Sequence, residues 1–268
     1  MPDSHSAGAT GRNPELPPGF QEVRWRSSAL GRHMTFLLYA PDRYDEHPAK
    51  RCPVLYLLHG SGHDRHSVIG EVRPQEHVAL LGETILVIPD GERGWWLDSP
   101  ALPHSRYGEY VLELTEFVDR RYRTIADRVA RGISGFSMGG YGAMLLASQH
   151  PGVFGAASSL LGPLDIVQMF PNYYQLCRLL GPELETWEHL NPAHLAEKLS
   201  RTLLRFCTAR EAFDLPQNRA FADVLTGLGI PFEYRVYPGG HDTVFAREHI
   251  AEQFRFHRRA FDHGDIQH

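Results

Sequence analysis

Two short apolar runs constrain this chain more than any other feature of it: Cys52-Pro53-Val54-Leu55-Tyr56-Leu57-Leu58-His59-Gly60 and Glu83-Thr84-Ile85-Leu86-Val87-Ile88-Pro89-Asp90-Gly91. A strand with one face in water alternates apolar and polar residues. These runs do not alternate, and each stops at a glycine, which suits strands buried on both faces of a parallel sheet. Parallel neighbours cannot be joined by a tight turn and need a long crossover, usually a helix. The chain is therefore predicted to be an α/β protein with helices on both faces of its sheet.

The rest of the sequence follows that pattern from about residue 21 to the end, with no linker long enough to divide it into two domains. QEVRWRSS and RHMTFLLYAP read as two paired strands, and VARGIS, FGAASSLLG, RTLLRFCTA and PFEYRVYPGG as four more. Tyr110, Leu114, Phe117 and Val118 share one helical face, as do Phe221, Val224, Leu225 and Leu228. A last helix carries Ile250, Phe254 and Phe261. Residues 163–200 break the alternation at Pro163, Pro171, Pro182 and Pro192, where a small cap or lid is expected. Residues 1–20 are polar, lack the apolar stretch of a secretory signal and are expected to be flexible.

Composition sets outer limits. With 268 residues, 42% of them hydrophobic, the chain can bury a core without disulfides or a structural metal. A net charge of -5 gives no footprint for nucleic acid or an anionic membrane surface. No run approaches the roughly 18 apolar residues of a membrane span, so a soluble, cytoplasmic protein is expected. Cys52, Cys177 and Cys207 are odd in number, lack CxxC spacing and read as free thiols.

The chemistry is concentrated in Gly135-Phe136-Ser137-Met138-Gly139. This G-x-S-x-G lies between a strand and a small-residue helix, where the glycines permit a sharp bend that leaves Ser137 exposed above the sheet. A serine hydroxyl is a weak nucleophile and needs a base. His241, in Tyr237-Pro238-Gly239-Gly240-His241-Asp242 after the last strand, stands where such a base belongs. The acid that orients it should follow RTLLRFC. Glu211 is favoured as nearer the strand end, Asp214 is the alternative, and Asp242 reads as a turn residue. The N–H of Met138 and that of Ser61, in the loop after the first buried strand, are candidate oxyanion donors. His59, His63, His66 and Asp64 lie in a glycine-broken loop without the helical spacing of a zinc site, so no metal is expected. Trp95 and Trp96 suit a substrate pocket and a core cover equally well.

These blocks resemble the esterase D group of α/β-hydrolases, which includes S-formylglutathione hydrolases, tributyrin-type and feruloyl esterases and the related mycolyltransferases. The likeness runs from about Phe36 to Phe261. It is carried by YLLHGSG as oxyanion strand-loop, GWWLDSP as aromatic-Asp segment, ISGFSMGGYGA as nucleophile block and PGGHDTVFAREHI as histidine block. It implies an α/β-hydrolase fold, Ser137 as nucleophile, His241 as base, and Ser61 and Met138 amides at the oxyanion, with no cofactor. Two positions depart from the group. Thr208-Ala209-Arg210-Glu211 replaces its usual G-x-x-D, and Thr243 stands where tryptophan often follows the His-Asp pair.

The expected activity is hydrolysis of a small-molecule ester, short-chain or with a carbohydrate or phenolic group, through an acyl-enzyme. Acyl transfer to an alcohol and thioester hydrolysis use the same residues and stay open. So does a homo-oligomeric state.

Overall fold

The computed structural model describes residues 16–264. Most of the N-terminal segment expected to be flexible lies outside them. Eight strands form one sheet: β1 (Phe20–Ser27), β2 (Arg32–Tyr39), β3 (Val54–Leu58), β4 (Ile85–Pro89), β5 (Arg131–Phe136), β6 (Ala156–Leu160), β7 (Leu203–Ala209) and β8 (Glu233–Tyr237). Their spatial order is β1-β2-β4-β3-β5-β6-β7-β8. The pairings β1–β2 and β2–β4 are antiparallel, and every pairing from β4 across to β8 is parallel. All eight coincide with strands read from sequence, and the architecture is the α/β-hydrolase fold.

The apolar runs behave as a doubly covered strand should. Val54, Tyr56 and Leu58 of β3 belong to one core, while Leu55 and Leu57 belong to the other. The first core is covered by α2 (Tyr107–Arg121), α3 (Met138–Gln149) and α6 (Leu215–Gly227), with Tyr110, Leu114, Tyr141, Leu145, Phe221 and Leu225 fully buried. The second is closed by α7 (Thr243–Gly264) through Phe245, Ile250 and Phe254, beside Val68 and Val72, which follow the single turn α1 (Arg65–Ser67). One helical face needs correction. Phe221 and Leu225 are buried, but Val224 and Leu228 are 37% and 48% exposed, because α6 packs along a narrower stripe than the spacing implied.

Residues 163–200 form short helical pieces, including α4 (Tyr174–Leu180) and α5 (Leu184–His189). They extend the first core and do not sit on it as a separate body: Leu164, Ile166, Leu176, Trp187 and Leu199 are completely buried in the same cluster as α3. The Tyr141 hydroxyl of α3 donates to Leu190 O at 2.8 Å, tying segment to scaffold.

Register sets up the site. Leu58 of β3 pairs with Gly135 of β5, Phe136 with Leu160 of β6, Leu160 with Cys207 of β7, and Ala209 with Tyr237 of β8. The carboxyl ends of these five strands are therefore level, and the loops leaving them share one edge, where ligands of open α/β sheets bind. Among the described residues, no helix is long and apolar enough to cross a membrane.

Buried and exposed apolar positions should respond differently to truncation. Phe254→Ala is expected to cost about 3–5 kcal/mol in urea unfolding, whereas Leu228→Ala should stay within about 0.5 kcal/mol. Comparable losses would contradict this assignment of Phe254 to the core and Leu228 to the surface.

Candidate active site

The turn between β5 and α3 is built by close backbone approach. Ser137 has φ 53° and ψ -121°, a left-handed conformation costing a non-glycine residue about 1–3 kcal/mol. It is held there at both ends: its N–H donates to Leu160 O at 2.8 Å, and its carbonyl accepts from Tyr141 N at 3.0 Å. The flanking glycines are required by space. A Cβ on Gly139 would stand 2.1 Å from Leu58 O, and one on Gly135 would stand 2.4 Å from the Gly139 backbone. The start of α3 thus lies against the end of β3, and Ser137 is left half-buried at the open edge of the sheet.

His241 reaches that edge from the loop after β8. Its Nε2 is 2.8 Å from Ser137 Oγ, and its Nδ1 is 2.6 Å from Asp214 Oδ1. Asp214 is fully buried, and its Oδ2 accepts from Thr208 Oγ1 at 2.5 Å and Asn218 Nδ2 at 2.9 Å. It also stands at the N-cap of α6, whose positive dipole end favours a carboxylate.

The favoured acid, Glu211, is not the residue on the imidazole. After Ala209 the chain makes two tight turns, with Ala212 N donating to Ala209 O and Leu215 N to Ala212 O. These carry residue 214 inward and leave residue 211 outside. Glu211 is exposed and clamps the histidine loop: its Oε2 accepts from Gly239 N at 2.9 Å, while its own N–H donates to Gly239 O at 3.0 Å. The sequence signal for Asp214 was its place directly before Leu215-Pro216, an N-cap followed by proline in the first turn. Asp242 caps α7 through Phe245 N, a terminal turn role as expected.

Met138 is the first residue of α3, where backbone N–H groups have no carbonyl one turn back. Ser61 follows Gly60, whose missing Cβ would lie 2.6 Å from the Phe136 ring, so the loop rests on the residue preceding Ser137. The histidines of that loop go to separate partners. His59 is buried, and its Nε2 accepts from Gly91 N at 2.8 Å. An amide can only donate, so the proton sits on Nδ1, which donates to Gly60 O at 2.8 Å. Burial pushes its pKa down, and it stays a neutral strut between the β3 and β4 loops. His63 meets Glu71 and His66 meets Glu22. Trp96 and Trp95 are core cover, at 0% and 2% exposure, and Trp96 Nε1 donates to His59 O.

Two residues of the site carried no sequence signal. Phe213 is 49% exposed and lays its ring 4.3 Å from that of His241. Gln175 of α4 accepts at Oε1 from Ser61 Oγ at 2.8 Å and Trp95 Nε1 at 3.1 Å, joining the inserted segment to the loop after β3.

This arrangement can be set beside known proteins. The family model Esterase, described as "Putative esterase", matches residues 27–256. The chain belongs to this family. Esterase Rv1288 of Mycobacterium tuberculosis is 26% identical over 85% of the chain, which spans only 56% of that relative's length. An S-formylglutathione hydrolase of Paracoccus denitrificans is 28% identical, over 89% of the chain and 93% of the relative. Among solved structures, the fluorophosphonate-binding serine hydrolase FphF of Staphylococcus aureus superposes with a TM-score of 0.80 at 20% identity, covering 89% of this chain and 98% of its own. At that identity the superposition bears on the fold alone.

Within this esterase-family chain the two carboxylates should separate cleanly. Asp214→Asn is expected to lower kcat on a reactive ester by about 10³–10⁴, because the amide can fix the wrong imidazole tautomer. Glu211→Gln, which keeps an acceptor for Gly239 N, should lose less than tenfold. Steady-state kinetics on both variants decides, and a larger loss for Glu211→Gln would reverse the assignment.

Proposed function

We propose that this chain is a serine ester hydrolase working through an acyl-enzyme on Ser137. The observation that carries the reading is the continuous chain Ser137 Oγ–His241 Nε2, 2.8 Å, and His241 Nδ1–Asp214 Oδ1, 2.6 Å. Family membership and the strained turn at Ser137 support it.

The roles follow from which atoms can donate. The Asp214 carboxylate only accepts, so it holds the proton on Nδ1 and leaves the Nε2 lone pair facing the Ser137 hydroxyl. As Oγ attacks the ester carbonyl carbon, that hydroxyl proton moves to Nε2 and the carbonyl π electrons move onto oxygen. Asp214 faces the imidazolium so formed across a dry contact and stabilises it. The oxyanion rests on the amides of Met138 and Ser61. When the tetrahedral intermediate collapses, the C–O bond breaks and the Nε2 proton goes to the departing alcohol. Water then enters and gives a proton to the same Nε2 as its oxygen bonds the acyl carbon. The second tetrahedral intermediate collapses with cleavage of the C–Oγ bond, Nε2 returning its proton to Ser137 Oγ as the acid leaves. Metal and cofactor have no part in this scheme.

A small carboxylic ester is the proposed substrate. A thioester is the second reading, favoured by the relative from Paracoccus denitrificans, whose alignment spans nearly its whole length.

Hydrolysis of p-nitrophenyl esters from acetate to laurate tests the reading. Wild type should turn over the shorter members, and Ser137→Ala should lose at least about 10³ in kcat/KM with an unchanged Tm. An equally active alanine variant would remove Ser137 from the chemistry.

A further inference from the structure

A cavity of about 600 Å³ opens between the loop following β4 and the inserted helix α4, with Arg32, Glu92, Arg93, Gln175 and Arg178 in its lining. Its charges are unbalanced. The lining carries three guanidiniums against one carboxylate, and that carboxylate is already engaged: Glu92 Oε2 lies 2.8 Å from Arg32 and accepts from the Tyr107 hydroxyl at 2.5 Å. Arg93 and Arg178 are exposed and have no acidic partner among the described residues. An excess of positive charge in a concave site stands out in a chain whose net charge is -5.

The cavity is joined to the proposed active site by Gln175. The Trp95 indole N–H can only donate, so the Gln175 atom facing it is the amide oxygen. The same oxygen accepts a hydrogen bond from the Ser61 hydroxyl. The amide NH₂ of Gln175, a residue of the cavity lining, is therefore left without a protein acceptor among the described residues. Tyr174, 78% exposed, stands on the rim.

We propose that this cavity binds an anionic substituent of the substrate, held by Arg93 and Arg178 with the Gln175 NH₂ as a further donor. The proposal rests on the ester-hydrolase reading and narrows its substrate class to esters or thioesters that carry a carboxylate or similar anion near the reacting carbonyl. Guanidinium forks suit such a group because they can donate two parallel N–H bonds to it. Binding there also bears against α4 and hence, through Gln175, against the Ser61 loop.

The test compares kcat/KM within two matched pairs at low ionic strength. Mono-p-nitrophenyl glutarate against p-nitrophenyl valerate places the charge on the acyl side, and meta-acetoxybenzoate against phenyl acetate places it on the leaving group. In at least one pair the anionic ester should be preferred by about tenfold. The preference should shrink as salt rises and fall toward one in Arg93→Gln/Arg178→Gln, with Tm unchanged. The pair that responds identifies which side of the substrate enters the cavity. No preference in either pair, or one that survives the double substitution, would overturn the proposal. If none of the four esters turned over, the ester-hydrolase reading itself would fail, and this proposal with it.

Discussion

Everything at the open edge of the sheet depends on two backbones passing closer than a Cβ would allow. The start of α3 crosses the end of β3 with Gly139 against Leu58 O. Ser137 can therefore turn back over the sheet in a conformation that few side-chain-bearing residues adopt. The strain is carried by hydrogen bonds to Leu160 and Tyr141 and by the almost wholly buried α3. The same approach brings the loop after β3 beside the first N–H groups of α3, so Ser137 and the proposed oxyanion donors are positioned by one contact. Rigid elements on both sides of the turn keep that geometry without reorganisation, which is the condition for electrostatic stabilisation to be effective.

The imidazole is held differently. Its loop contains Gly239 and Gly240, which give it reach but not a fixed position. Fixity comes from outside: Glu211 pins the Gly239 backbone in both directions, Asp214 takes the Nδ1 edge, and Phe213 lies against the ring. Four consecutive residues after β7 thus supply a clamp, a ring contact and a buried carboxylate. Two carboxylates three positions apart end in opposite environments, one exposed and one fully buried. Their division of labour follows from burial more than from residue type.

The inserted segment couples the sheet edge to its surroundings. Its core side chains are continuous with those around α3, and Gln175 touches both the aromatic loop and Ser61. A contact of this kind makes the segment part of the support of the loop after β3, and it separates that loop from the arginine-lined cavity by a single side chain.

The sequence by itself determined the strands, the sharp turn at Ser137 and the candidacy of His241. β3 and β4 are short apolar runs bounded by glycine, proline or polar residues, while β1 and β8 mix charged residues with aromatic and β-branched ones. In both cases local pattern suffices to identify a strand. Ser137 and His241 were legible because glycines beside a chemically capable residue, at the end of a strand, are local facts. The carboxylate on the imidazole was not, since Glu211 and Asp214 both stand just past β7. The place of Asp214 before Leu215-Pro216 marks a helix start without showing which carboxylate the intervening turns direct inward. Nor were Gln175 and Phe213, because an amide 114 positions from Ser61 and a ring beside a histidine acquire meaning only from packing. Tertiary structure decided these because contact across the fold, unlike periodicity along it, leaves no mark on neighbouring residues.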